Sequence, residues 1–500
     1  MGPGPEGELA PAGGCLRPDP GSRLLAGGTV LVGGSPVRVL RLTPAGARTV
    51  SGWWSGTPVP DDPRARALAR RLVDTGIAHP VPPGDGSCVP GDSDVTVVVP
   101  VRDRQAELAR CLAGLAPLAR VIVVDDGSAD PAAIARIAAG SGARVLRRPV
   151  SGGPGAARNT GLAAAQTPLV AFLDSDCVPG PGWLERLLPH FTDPAVGAVA
   201  PRIVPAGSER TWLARYEGAS FTLDLGARAS IVRPGSRVPY VPGAALVVRK
   251  AAAGAGFAED MPVGEDVDFV WRLAASGWRV RYEPDAVVPH EHRVRLSAWF
   301  ARRRDYGTSA AALELRHPGA VRPLYVSAWT ALAWLAVASG RPAAGAAFTG
   351  AGIAVLARRL AALTGEPWPR PGARTAWLLA ARLAGGGTLA AGRPLGSAIS
   401  RTWWPAAVPA AITVRRLRLP LAALVLTPPL LDWLDRRPPL DPARYVTARL
   451  LDDLGYSLGV WQGCTRHRTV RPLLPALAGR HLDRPRAKSA GTMMSSGDRS

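Results

Sequence analysis

Residues 121–130 read VIVVDDGSAD, a short apolar run of β-branched residues that stops at two carboxylates, Asp125 and Asp126, and a Gly-Ser turn. The same pattern recurs on either side. Residues 95–104 read VTVVVPVRDR and residues 170–179 read VAFLDSDCVP. Between them lies GGPGAARNTG at 152–161, glycine-rich and then helix-like. Strand-length apolar runs alternating with helical stretches imply an α/β domain with a mostly parallel sheet. In such sheets ligands bind where the strands end, so carboxylates at several strand ends converge on one crevice. Asp174 and Asp176 flank Ser175, a spacing that lets two carboxylates on a turn face one divalent ion and the diphosphate it carries. The alternative for each acidic pair is a capped turn with no ligand.

The order of these segments resembles the family 2 glycosyltransferases. The residues that carry the resemblance are Pro100-Val101-Arg102, Asp125 to Ser128, Ala157-Arg158-Asn159, Asp174-Ser175-Asp176 and Gly264 to Phe269, spread over roughly residues 94–300. The resemblance implies a GT-A type domain for nucleotide-diphosphate sugars, an inverting reaction and a divalent metal ion, Mg2+ or Mn2+. It assigns Pro100, Val101, Arg102 and Asp125 to the nucleotide, with Asp126 orienting their loop. Arg158 is assigned to the diphosphate or base, and Asp174 to the metal or ribose. Asp176 is the expected direct metal ligand, and His290 of VVPHEHR joins it at the metal or diphosphate. In GEDVDF, Asp266 is the expected base and Glu265 orients the acceptor or a loop. Independently of the family, three carboxylates in one turn repel each other, which raises the proton affinity of one of them. They also suit the positive end of a helix dipole, the purely structural reading. Arg302 to Arg304 and Tyr306 are placed on a lid over the diphosphate or against lipid head groups. Neither a Walker-type phosphate loop nor a dinucleotide GxGxxG fingerprint is present.

Length and composition bound the rest. A chain of 500 residues exceeds one ordinary core, so two or three units are expected. Net charge is +21 and 47% of residues are apolar, with mean hydropathy +0.07. The positive charge fits anionic lipid or a nucleotide, or is simply a solvated arginine-rich surface. No helix-turn-helix, zinc or RNA-binding signature appears, so nucleic acid is not expected as a partner. Five scattered cysteines without metal spacing fit a reducing compartment, and the first residues lack the pattern of a signal peptide.

Residues 1–22 are expected to be disordered, and residues 23–82 to form a small α+β unit. Within it TVLVGGSPVRVLRL (29–42) reads as a hairpin, followed by helices at 44–54 and 63–75, the second capped by Asp62. This unit resembles PqqD-like peptide-recognition domains, which add a peptide to a sheet edge; a structural cap is the alternative. A linker at 83–93 leads to the catalytic domain, 94–320, in which WLERLLPHF (183–191) reads as a helix. Residues 321–480 hold apolar runs of about 15 residues bordered by Trp and Arg, short of the roughly 20 a membrane-spanning helix needs. They predict a helical region at the cytoplasmic face of the cell membrane, multi-pass or interfacial. Residues 481–500 read as a disordered tail.

Together the three units resemble the glycosyltransferases of mycofactocin systems. That resemblance implies a sugar-nucleotide donor, UDP-glucose, and a peptide-derived redox cofactor precursor as acceptor. The competing expectations are a membrane-associated transferase of cell-wall glycan or glycolipid synthesis, and a non-catalytic peptide-binding scaffold. Intact Asp125, Asp174, Asp176 and Asp266 argue against the scaffold.

Overall fold

The computed structural model describes residues 9–81, 89–115, 120–207, 210–291, 295–364 and 374–477. Most of the linker, the tail, Cys88 and His292 lie outside the described residues.

The N-terminal unit comprises β1 (Cys15–Pro18), β2 (Arg23–Leu25), β3 (Val30–Gly33), β4 (Arg38–Arg41), α1 (Pro44–Trp54), α2 (Pro63–Asp74) and β5 (Ala78–Val81). The hairpin expected around Gly33-Gly34 is β3–β4, extended by β2 into a three-stranded sheet. Asp62 caps α2 by accepting from the Ala65 N–H at 2.7 Å, with Pro63 opening the helix. The expected disorder through residue 22 does not hold for the described part. β1 pairs with β5, Leu16 is buried, and Asp19 accepts from His79 and from Arg237 of the next domain. Burial opposes the charge of Asp19, yet these donors and the Gly21 N–H hold its carboxyl well below the usual range.

The second domain is built on an eight-stranded sheet. Its strands are β6 (Val95–Val101), β7 (Val121–Asp126), β8 (Arg144–Arg148), β9 (Leu169–Leu173), β10 (Val196–Ala206), β11 (Ser230–Ile231), β12 (Ala245–Arg249) and β13 (Arg279–Glu291). Their order across the sheet is β11-β13-β10-β12-β9-β6-β7-β8. Strands β9, β6, β7 and β8 run parallel; β12 is inserted antiparallel between β9 and β10. Valines alternate across β6: Val97, Val99 and Val101 pack towards α3 (Gln105–Gly114) and α4 (Pro131–Gly140), while Val98 packs towards α5 (Gly153–Ala164) and α7 (Glu265–Ala275). Both faces are thus covered, which explains unbroken apolar strands. Residues 183–187 form turns rather than the expected helix, and only Leu188–Thr192 close a 3-10 turn. Pro189 is the reason, having no N–H and a ring that clashes with a helical carbonyl one turn back.

Beyond α6 (Trp212–Ala219) and α8 (Leu296–Arg316), the described residues between 328 and 466 form a helical layer. Its last helix, Pro442–Arg466, lies along α8 through glycines spaced four apart, Gly455, Gly459 and Gly463. A Cβ on Gly459 would sit 1.9 Å from the Arg304 carbonyl oxygen, so only glycine permits this approach. The N-terminal unit bridges the other two parts. Arg70, Asp74 and Asp19 pair with Asp193, Arg279 and Arg237 of the sheet domain. Val30 and Val32 of β3 pack on Ala357, Leu360 and Leu379 of the helical layer.

Candidate active site

At the C-terminal edge of β6, β7 and β9 a cleft of about 660 Å3 opens between the sheet domain and the helical layer. Pro100, Val101, Arg102, Asp126, Arg158, Asp174, Asp176, Glu265, Asp266 and His290 all line it, so one space gathers residues from six distant segments.

Arg158 is its electrostatic centre. α5 carries it, and its guanidinium donates to Asp174 Oδ1 and Glu265 Oε1, both at 2.7 Å. Burial opposes the arginine's charge, but Asp174, Glu265 and Asp266 outweigh it and keep the group firmly protonated. Glu265 shows the reverse balance. Burial and the neighbouring Asp266 push its carboxyl up to about 7, against the pull of Arg158. Asp266 is held differently, its carboxylate accepting from the Gly243 and Val267 N–H groups at 2.8 Å each. α7 begins at Glu265 because Gly264 turns through φ 85°, and a Cβ there would lie 2.8 Å from Ser309 Cβ on α8. Asp268, the third acid, is spoken for by Arg272 and His317 and secures α7 to the end of α8.

Asp176 lies across the cleft floor. One of its oxygens pairs with Arg104 and the other is 3.3 Å from His290 Nε2. Arg104 follows a left-handed Asp103 (φ 55°), a turn tied down by Ser128 and the Ala129 N–H. Asp176, Cys177 and His290 bring ligand atoms within 4.8 Å of one another. Cys177 is an unsuitable member, since burial pushes its thiol well up, with Asp174 and Asp176 adding to the effect, and it donates to the Ala244 carbonyl at 3.4 Å. A carboxylate and an imidazole remain, with positions left for phosphate oxygens, a donor set that fits a hard divalent ion. His290 Nδ1 is buried with no partner among the described residues.

Several expected roles change. Asp125, expected at the base, is turned into the protein. It accepts from the Ser128 N–H at 3.0 Å and from Arg147, and it does not line the cleft. Asp126 is on the cleft wall and organises the loop: the Gly152 and Gly153 N–H groups, Ser151 and Arg148 all donate to it. Burial opposes its charge, but these donors hold its carboxyl below the usual range. The glycine-rich segment is therefore the first turn of α5, with its first N–H groups given to Asp126 rather than to a phosphate. The arginines of α8 sit on a packed helix and not on a lid. Arg302 lies over the Tyr306 ring at 4.6 Å and lines the cleft; Arg303 also borders it, but its buried guanidinium is held between Glu217 and Asp452 at 2.5 and 3.1 Å. Arg304 is exposed.

The sequence reading missed the partners that come from elsewhere. Arg104 was visible in PVRDR, and its place three residues after the strand was its signal. Arg401 and Tyr456 reach the cleft from the helical layer, stacked at 4.3 Å, and no motif announced them.

A parallel sheet with an antiparallel insertion, gathering an Asp-Ser-Asp turn and an acidic helix start around one cleft, is the architecture of a GT-A glycosyltransferase. The profile of Glycosyl transferase family 2 matches residues 96–254, the segment holding β6 to β12. The chain is 43% identical over 480 residues to the pre-mycofactocin glycosyltransferase of Mycobacterium tuberculosis, covering 93% of this chain and 98% of that one. It belongs to the pre-mycofactocin glycosyltransferase family. The beta-monoglucosyldiacylglycerol synthase of Synechocystis is 27% identical over 239 residues, 45% of this chain and 50% of that one. Among solved structures, a Pyrobaculum calidifontis mannosyltransferase in complex with GDP-Man and Mn2+ aligns with TM-score 0.35 and 23% identity, over 59% of this chain and 87% of that one.

Proposed function

We propose that this glycosyltransferase moves glucose from UDP-glucose onto the peptide-derived redox cofactor precursor of the mycofactocin pathway, with inversion at the anomeric carbon. The observation that carries the reading is the division of the cleft. Asp176 and His290 form one group, Glu265 and Asp266 another, and Arg158 spans the distance between Asp174 and Glu265.

In this reading the uridine lies along Pro100, Val101 and Arg102, beside the loop that Asp126 fixes. Asp176 and His290, with Asp174 nearby, would hold Mg2+ or Mn2+, which would supply Lewis-acid stabilisation of the leaving diphosphate. Arg158 and Arg302 add fixed positive charge on the same side. The acceptor hydroxyl attacks the anomeric carbon from the opposite face as the bond to the nucleotide breaks. Its proton passes to Asp266, whose second oxygen stays anchored by the Gly243 N–H. Glu265 orients Arg158 and, in its protonated form, has a hydrogen to donate to the acceptor. The N-terminal unit, with its free β-strand edges, is assigned to recognising the acceptor or a partner maturation protein.

Transfer from UDP-glucose to the precursor, followed by mass spectrometry, tests this reading. Asp176→Asn is expected to lower turnover at least about a thousandfold, and excess chelator to do the same, because a charged oxygen is lost from the cation. Full activity in chelator would remove the metal from the mechanism. Transfer to diacylglycerol in place of the peptide-derived precursor would favour the glycolipid alternative, to which the exposed apolar surface of the helical layer lends some support.

A further inference from the structure

The helical layer carries a surface that the transferase chemistry does not use. Of the 27 exposed large apolar side chains among the described residues, 21 lie between Tyr325 and Leu477. Over residues 327–431 the sequence holds one carboxylate, Glu366, against eleven arginines. Apolar exposure and an excess of positive charge therefore fall in one part of the chain.

The segment 404–436 shows how this surface is presented. The helix Trp404–Thr413 has no buried residue, a turn at Val414 to Leu417 follows, and the helix Arg418–Arg436 returns. Both ends are fastened to the rest of the molecule. Trp404 donates to Ser457 at 2.9 Å, and Arg436 donates to the Ala219 carbonyl at 2.6 Å. Near its middle the returning helix is gripped again, where a Cβ on Gly396 would meet the Leu424 carbonyl at 2.0 Å. Arg415, Arg416 and Arg418 stand at the turn, with Ile412 and Leu419 beside them, 67% and 82% exposed.

Residues 415–436 are the one described stretch long and apolar enough to cross a bilayer, and 11% of its apolar window is buried. Crossing would require its two ends on opposite sides, yet the ten-residue outgoing helix, about 15 Å long, spans only about half of a hydrocarbon core of ~30 Å. Pushed in fully, it would leave three arginines near the bilayer centre, where charge is least tolerated. We propose that this face instead docks in plane on an anionic bilayer. The turn arginines lie among the head groups, and Ile412, Val414 and Leu419 dip into the upper acyl region. The leaflet such a surface fits is the cytoplasmic one, whose negative potential attracts basic segments. The cleft and its acceptor would then sit beside the membrane without residues 415–436 crossing it.

Flotation of the full chain with vesicles tests this independently of any transfer reaction. Vesicles of phosphatidylglycerol and phosphatidylcholine in equal parts are expected to bind it at low salt, and pure phosphatidylcholine vesicles much less. Arg415→Gln with Arg416→Gln should lower affinity at least about tenfold, as should Ile412→Ser with Leu419→Ser. Unchanged melting temperatures would show that these exposed replacements leave the fold intact. Alkaline carbonate should release the bound protein. Resistance to carbonate would mean that the segment spans. Equal binding to neutral vesicles would overturn the electrostatic part. Failure to bind any vesicle, with light scattering showing a dimer, would give the surface to a second copy.

Discussion

Two buried arginines border the cleft, Arg158 on α5 and Arg303 on α8; they are built from the same pieces and end in opposite roles. Arg158 bridges Asp174 and Glu265; Arg303 bridges Glu217 and Asp452, with Trp299 also donating to Glu217. The difference lies in access. The Asp174 side chain remains 30% exposed, while those of Glu217 and Asp452 are 4% and 9% exposed. A carboxylate open to the cleft can exchange a protein partner for a ligand. A sealed one fixes how α6, α8 and the last helix meet. Ion pairing alone therefore does not mark a functional site, and the solvent path to it does.

The sealed cluster should give the largest response in stability. Arg303→Leu leaves Glu217 and Asp452 buried without their cation, a loss on the order of 3–5 kcal/mol, to be read from chemical denaturation. A loss below about 1 kcal/mol would mean that the cluster is wetter than its burial implies. The open side should respond in rate rather than in stability. Asp266→Asn is expected to lower turnover about a hundredfold or more while donor affinity, measured by calorimetry, persists. If donor binding falls in step with turnover, Asp266 belongs to the donor half of the cleft.

Gly459→Ala sharpens the contrast from the packing side. Its added methyl would collide with the Arg304 backbone and move α8 away from the last helix, for about 1–3 kcal/mol in thermal unfolding. Because Arg302 and Tyr306 ride on α8, a shift in donor affinity should accompany it. The mildest test is a pH slope. Glu265 titrates near 7 in the folded chain against an ordinary 4.5, so between these values the unfolded chain releases a proton that the folded chain retains. Stability contributed by this group is then complete below about pH 4.5 and declines as pH rises towards 7. Glu265→Gln should flatten that decline in metal-free buffer; an unaltered slope would place the raised proton affinity on another group.

The parallel sheet and the acidic half of the cleft were legible because each rests on a contiguous run: VIVVDD, FLDSD and GEDVD state strand, turn and carboxylate together. What was illegible depends on approach between distant segments. The burial of Asp125 follows from Arg147 on the neighbouring strand, and the helix opening at Gly153 from Asp126 claiming its N–H groups. The seam of Gly455, Gly459 and Gly463 was present in DDLGYSLGVWQGC, but a four-residue glycine spacing names no partner until α8 lies against it. Apolar runs in the last third read equally as buried or as lipid-facing helices, since local periodicity carries no information on what covers a face.

The placement of the N-terminal unit changes how its role can be studied. β3 turns Val30 and Val32 onto Ala357, Leu360 and Leu379, while three arginine-carboxylate pairs lash the same unit to the sheet domain. Domain dissection would therefore not isolate a recognition module: cutting the chain near residue 90 strips an apolar seat bare and strands Asp193 and Arg279 without their counterparts. A keystone has to be probed in place. Proline introduced along the unpaired edge of β4 is the test in place: if the unit recognises the acceptor as proposed, transfer to it falls while the melting temperature holds.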